Sequence, residues 1–363
     1  MTKLHDLYDR QGQSPWLDNM RRGWITSGQL ARWVERGVRG ITSNPTIFQK
    51  SISGSDDYDA QFRELVAGGA SIDDVYWALV TSDIEEGLRI LRPVHDASDG
   101  VDGYVSVEVA PDLARDRDGS VASARELHAR IDEPNLFVKV PATAEGVDAI
   151  RTLIGEGHSI NVTLIFGLDR YDEVMEAYIA GLEAYDGDLS TVSSVASFFV
   201  SRVDTEVDRR LDGLGSDAAL ALRGTAAVAQ AQLAYGRFLA TFSGPRWQAL
   251  ADRGARVQRP LWASTSTKNP AYRDTLYVDN LIGPDTVNTM PEGTLDAFDD
   301  HGTLARAVDA DLDAAARTLD AITEAGVDLD DVSRVLEDQG VASFAKSFDE
   351  LIATLASKAE DLK

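Results

Sequence analysis

One feature constrains this chain more than any other. Short apolar runs of strand length alternate with longer segments of helical spacing, from near residue 15 to near residue 290. Eight runs qualify: PWLDN (15–19), RGITSN (39–44), GYVSVEV (103–109), NLFVKV (135–140), SINVTLIF (159–166), TVSSVAS (191–197), RPLWAST (259–265) and DTVNTM (285–290). Strands joined by helical crossovers run parallel. Eight such units predict a single α/β domain spanning 1–363, a closed (β/α)8 TIM-type barrel with extra helices. A doubly wound open sheet is the alternative. It uses fewer strands and a glycine-rich first turn, and no such turn follows the first strand.

The intervening segments carry helix signals. SGQLARWVERG (27–37) reads as a helix with a Ser cap and a Gly stop, and SIDDVYWALVTSDIEEGLRILRP (71–93) as one that starts at a Ser cap and ends before Pro93. AEGVDAIRTLIGEG and LDRYDEVMEAYIAGLEAY place apolar residues at three- and four-residue steps. A long Ala-rich helical segment covers roughly 216–243, and two or three further helices follow from about 302 to 361 and pack on the barrel. No low-complexity or Pro/Gly/Ser-rich linker marks a boundary.

Side chains alternate along a strand, so parity sorts each run into two faces. In a closed barrel one face packs on helices and the other is shared in the lumen. On the third strand Val105, Val107 and Val109 oppose Ser106 and Glu108. On the fourth, Leu136, Val138 and Val140 oppose Phe137 and Lys139. On the fifth, Ile160, Val162 and Leu164 oppose Asn161 and Thr163. A carboxylate, an ammonium, an amide and a hydroxyl therefore project into one lumen, with Asp18 and Asn44 on the first two strands available to join them.

Parallel sheets are buried on both faces, and an unpaired buried ion is costly. A structural Lys139–Glu108 ion pair is one explanation. The other is chemical. Desolvation and nearby positive charge lower an amine's pKa, a neutral amine attacks carbonyls to form a Schiff base, and Glu108 and Asp18 supply acid and base groups.

Other signals are set aside. GLGSDA (213–218) follows a charged run and not a strand, so it is no dinucleotide fingerprint. NVT (161–163) lies on a buried strand, which argues against glycosylation. The five histidines lack ligand spacing, and HDASDGVDG (95–103) lacks the order of a calcium loop, so no metal site is expected and the latter reads as a solvated turn. The six tryptophans read as packing residues. With a net charge of −25 the chain is not expected to bind nucleic acid or an anionic membrane, and without cysteine thiolate chemistry is excluded. No apolar run reaches about 18 residues and the polar N-terminus lacks a signal core, so a cytoplasmic location is expected.

The motifs taken together resemble a known family. WLDNM, GITSNPTIF, GYVSVEVAPDLARD, NLFVKVPAT, INVTLIF, SFFVSRVD, LWASTSTKNP and YVDNLIGPDTVNTMP are similar in content and order to those of the transaldolases of the longer bacterial type, over essentially the whole chain. The resemblance implies a (β/α)8 barrel that moves a dihydroxyacetone unit between sugar phosphates through a lysine Schiff base in the non-oxidative pentose phosphate pathway, with no metal or organic cofactor. Carried over by position, Lys139 matches the Schiff-base lysine. Asp18 matches the aspartate that takes the C4 hydroxyl proton as the C3–C4 bond breaks. Glu108 matches the glutamate that works through a water, and Thr163 the hydroxyl that holds it. Asn44 and Asn161 match amides that bind substrate hydroxyls, Ser197 a substrate contact and Arg202 a phosphate ligand. After the seventh strand, where some members carry a second phosphate-binding arginine, this chain has ASTSTKNP. The cation there is assigned to Lys268, with Ser264 nearby. A lysine binds phosphate as a point charge, without the guanidinium fork. Two other functions stay open at this point: an aldolase that releases free dihydroxyacetone, and a silent barrel that only binds sugar phosphates or a protein partner. The sequence leaves monomer and homodimer equally open.

Overall fold

The computed structural model describes residues 2–362. All eight expected strands are present: β1 (Gln13–Asp18), β2 (Ile41–Thr42), β3 (Val105–Glu108), β4 (Leu136–Pro141), β5 (Ile160–Ile165), β6 (Ser194–Phe199), β7 (Arg259–Ala263) and β8 (Thr286–Met290). Each pairs in parallel with the next, and β8 closes on β1 with Leu17 opposite Met290. Every strand differs from its expected run by one to three residues at one or both ends, and two of the differences stand out. β2 keeps two residues of its run, because Asn44 leaves the ladder to cap the helix Pro45–Ser53 through a bond from the Ile47 amide. β6 starts and ends later than its apolar run suggested, at Ser194 and Phe199.

Helices fill the connections. Ser71 does cap its helix, with its hydroxyl accepting from the Asp74 amide, but that helix runs from Ile72 to Ala97, straight through Pro93. The proline is exposed and removes only one intrahelical donor, four residues from the helix end, so it does not stop the helix. Gly28, and not Ser27, caps Gln29–Glu35, because Ser27 still closes the preceding short helix Arg22–Thr26. The Ala-rich segment is broken into Asp217–Leu220 and Ala226–Thr241, with Gly224 in the left-handed region between them. The tail forms two helices. Leu312–Glu324 packs on Ala226–Thr241. The second, Leu329–Glu360, touches the segments that follow β2, β3 and β6 and also β5 itself, so it lies across the C-terminal end of the barrel.

The lower lumen is packed with rings. Trp16 stacks on Phe137 at 6.2 Å, and Phe137 on Tyr104 at 4.0 Å. Gly40 makes room for Trp16, since a Cβ there would lie 2.3 Å from the indole. Beneath them sits a buried knot around Asp102, which corrects the reading of residues 95–103 as a solvated turn. The turn itself is present, but Asp102 points inward and is fully buried. It accepts from Ser14 Oγ (2.7 Å), Trp16 Nε1 (3.1 Å), Arg39 Nε (2.7 Å) and Arg259 (3.0 Å). Burial alone would raise this carboxyl, but Arg259 and Arg39 more than offset it and hold its pKa below the ordinary value.

Removing the charge while keeping the shape strands two arginines against a neutral amide. Asp102→Asn is expected to destabilise the protein by roughly 3–5 kcal/mol in urea denaturation. Because the native pKa is depressed, the wild-type contribution is present at neutral pH and is lost as pH falls through it, so the gap between the two proteins should close in acid.

Candidate active site

The strand ends and the loops after them surround a cleft of about 1010 Å³ at the C-terminal mouth. Of the ten residues singled out from sequence, seven line it: Asp18, Asn44, Lys139, Ser197, Arg202, Ser264 and Lys268. Glu108, Thr163 and Asn161 lie just below, buried. Register explains the grouping. Glu108 stands opposite Lys139 across β3 and β4, and Lys139 opposite Asn161 across β4 and β5, so these three lie side by side on the lumen face.

Lys139 is the centre. It is 4 % exposed. Its Nζ lies 3.4 Å from Glu108 Oε2 and donates to the Ser43 carbonyl at 3.3 Å. The ammonium reaches Glu108 as an ion pair without the angle of a good hydrogen bond, so Glu108 Oε2 keeps unused acceptor capacity. Thr163 Oγ1 is also buried and has no partner among the described residues. Buried acceptors and hydroxyls left alone are unfavourable, so both groups favour a small polar guest. Asn161 spends both ends of its amide inside the protein. Its Nδ2 donates to Ser106 Oγ (2.9 Å) and its Oδ1 accepts from Ser197 Oγ (2.7 Å). It therefore holds Ser197 at the cleft and does not line it.

Asp18 ends β1 on the opposite side. Thr42 Oγ1 donates to Asp18 Oδ1 at 2.8 Å and lies 2.6 Å from Thr289 Oγ1, which makes Thr289 the donor to Thr42. Burial raises the pKa of Asp18. Lys139, Thr42, Lys268 and Arg202 pull it back, and the balance stays above the ordinary value. Glu108 is likewise raised, by burial and by the charge of Asp18 against the attraction of Lys139.

Cations gather farther out. Arg202 opens the helix Ser201–Leu214 directly after β6, and burial lowers its pKa while Asp18 raises it. Lys268 donates to Ser266 Oγ at 2.7 Å. Its pKa is lowered by partial burial and by repulsion from Arg202 and Lys50. Ser264 sits just past β7 with φ of 57°, in the left-handed region, and its hydroxyl meets Ser201 Oγ at 2.9 Å. The strained turn aims Ser266 and Lys268 at the mouth. Arg202, Lys268 and Lys50 form no ion pair with a described carboxylate within 4.0 Å, so this rim is a cationic patch on an acidic protein, suited to an anion.

Several contributors were not singled out from sequence. Thr42 and Thr289 share lumen parity with residues that were, so parity could have found them. Ser43 contributes only a carbonyl. Lys50 sits on the helix Pro45–Ser53 and Ser266 in the loop after β7, where strand parity does not apply. Phe344 and Ser343 come from the C-terminal helix and line the cleft, with the Phe344 ring centred 5.9 Å from Lys139 Nζ. Among the described residues, no group of three or more His, Asp or Glu side chains is placed to hold a metal ion, and no helix is long and apolar enough to cross a membrane.

Fold and site together define a class: a parallel (β/α)8 barrel that presents a buried amine beside two carboxylates, the layout of carbonyl-group chemistry. Comparison with known proteins agrees. The family model for transaldolase/fructose-6-phosphate aldolase matches residues 15–355. Among curated relatives, "Transaldolase" of Thermobifida fusca is 51% identical over 360 residues, covering 98% of each chain. "Transaldolase" of Frankia alni is 50% identical, covering 96% of this chain and 95% of that one. "Transaldolase" of Mycolicibacterium smegmatis is 50% identical, covering 94% and 93%. The chain belongs to the transaldolase/fructose-6-phosphate aldolase family.

A carboxylate serves as a base only when ionised, and the pKa of Asp18, the candidate base, is raised. Activity should therefore fall as pH drops through that raised value, with an acid limb of the kcat/KM profile above the ordinary aspartate range of about 3.9. Asp18→Asn should lower kcat/KM by roughly 10²–10⁴ and remove that limb. Steady-state rates across pH check both.

Proposed function

We propose that the chain is a transaldolase of the pentose phosphate pathway, and that Lys139 is its Schiff-base lysine. The observation that carries the reading is the amine held buried beside Glu108 at the floor of a cleft whose rim is cationic. The ketose donor, sedoheptulose 7-phosphate or fructose 6-phosphate, places its C2 carbonyl at Lys139 Nζ. The amine adds to C2 to give a carbinolamine, and loss of water gives the imine. Glu108, with its raised pKa and free acceptor site, moves the protons of these steps through a water that Thr163 also holds.

The C3–C4 bond then breaks. Its electrons pass into the imine, and Asp18 takes the proton from the C4 hydroxyl. The aldose phosphate leaves, glyceraldehyde 3-phosphate from the six-carbon donor or erythrose 4-phosphate from the seven-carbon one. The three-carbon unit stays on Lys139 and adds to the other aldehyde by the reverse steps. Arg202 and Lys268 hold the phosphate, with Ser264 beside them. Ser197 and Asn44 bind hydroxyls, and Asn161 acts through Ser197. Asn44 spends its Oδ1 on the helix cap, which leaves its NH2 for the substrate. No cofactor enters the scheme.

The alternative, an aldolase that releases free dihydroxyacetone, uses the same lysine. It would consume fructose 6-phosphate without an acceptor aldehyde, whereas a transaldolase stalls after one turnover.

Borohydride added with fructose 6-phosphate should fix a three-carbon adduct on Lys139, read by peptide mass spectrometry. Lys139→Arg should trap nothing and lose activity on the order of 10³-fold or more. No adduct, or one on a different lysine, would overturn the assignment.

A further inference from the structure

We propose that Phe344, delivered by the C-terminal helix, decides whether the three-carbon unit on Lys139 is transferred or released. The inference rests on the transaldolase reading.

The helix Leu329–Glu360 presents one face to the mouth, along Gly340, Ser343, Phe344, Ser347 and Phe348, which stand at i, i+3, i+4, i+7 and i+8 of a helix face. Three contacts fix its height. At Gly340 the helix passes so close to β5 that a Cβ would lie 2.9 Å from Leu164 Cδ2. Leu164 itself has φ of 59° and marks the irregularity in β5 directly after Thr163. Ser347 Oγ bonds Thr46 Oγ1 at 2.8 Å, two residues past Asn44. Phe348 packs edge-on against Tyr76 at 5.0 Å. Held at these points, the helix lowers Phe344 over the amine until the ring is 3 % exposed.

The result is a site with two kinds of wall. Its floor is polar, with Glu108 and Thr163. The side facing the mouth, directly over the nucleophile, is an aromatic ring. After C3–C4 cleavage the carbon held on Lys139 is nucleophilic and has two fates. It can bond to the carbonyl carbon of an incoming aldehyde, with Asp18 returning the proton to the new alkoxide. Or it can take a proton from water that enters through the mouth. The second gives the imine of dihydroxyacetone. Water then adds to the imine carbon, the carbon–nitrogen bond breaks, and free dihydroxyacetone leaves with the lysine restored as an amine. Transfer needs the carbon kept dry until an aldehyde arrives, and the Phe344 ring is the apolar cover at that point.

The test compares wild type with Phe344→Ala, Phe344→Val and Phe344→Leu. Each is given fructose 6-phosphate alone, for dihydroxyacetone release, and with erythrose 4-phosphate, for transfer. The ratio of release to transfer should rise on the order of tenfold in F344A, the scale of a lost apolar wall in a pocket. It should rise less in F344V and stay near wild type in F344L, which restores most of the cover. If F344A does not fold, F344V carries the same expectation. A ratio unchanged in the smaller variants, or release and transfer that fall together, overturns the proposal. Borohydride trapping on Lys139 in every variant separates the cases: adduct with an unchanged ratio sinks the role of Phe344, and no adduct in wild type sinks the transaldolase reading.

Discussion

A lysine amine inside a parallel sheet is the constraint on which this molecule is organised. Closing the sheet gives each strand two buried faces, and a lysine on either must be met by groups that repay its lost hydration. β4 turns Lys139 into the lumen, and the registers on both sides bring Glu108 and Asn161 level with it. Burial in the same lumen raises the pKa of both Asp18 and Glu108, and the attraction of Lys139 only partly offsets it. The Asp102 knot solves the opposite problem at the other end of the barrel. There two arginines saturate one carboxylate, every polar partner is internal, and nothing is left over for chemistry.

Much of this was legible in the sequence, and the reason is period. A two-residue repeat on eight runs located all eight strands, and parity put Glu108, Lys139, Asn161 and Thr163 on one face. Where period fails, legibility fails. β2 ends early because Asn44 prefers a capping geometry to the ladder, and β6 is offset because Phe198 and Phe199 are apolar on both faces and blur the alternation. Pro93 misled because a proline near a helix end breaks only one bond. Asp102 misled because a turn rich in Asp and Gly looks solvated until the fold folds it under the barrel. Asn161 has the right parity for the site, yet its neighbours Ser106 and Ser197 claim both ends of its amide.

Of the five non-glycine left-handed residues among those described, Leu164 and Ser264 share a place in the fold. Leu164 and Ser264 are both non-glycine residues at positive φ, and both stand at the C-terminal ends of strands beside the mouth. Each bends the chain where a regular strand would carry its side chains past the cleft. At β5 the bend lets Thr163 finish the lumen face while Leu164 turns out to meet the last helix. At β7 it swings Ser266 and Lys268 over the opening. The barrel supplies a rigid frame, and a few strained residues set the final aim of the groups it carries.

The course of the last helix has a consequence in time. Every strand of the barrel, with Lys139, Glu108 and Asp18, has been made by residue 290, while the cover over the lysine lies more than fifty residues later. As the chain grows from its N-terminus, the barrel can close around an amine still open to water. Only when the final helix docks across the mouth, on surfaces belonging to the segments after β2, β3 and β6, does that amine become enclosed. The pocket is thus completed only after the barrel, and its closure reports that the helix Leu329–Glu360 has docked.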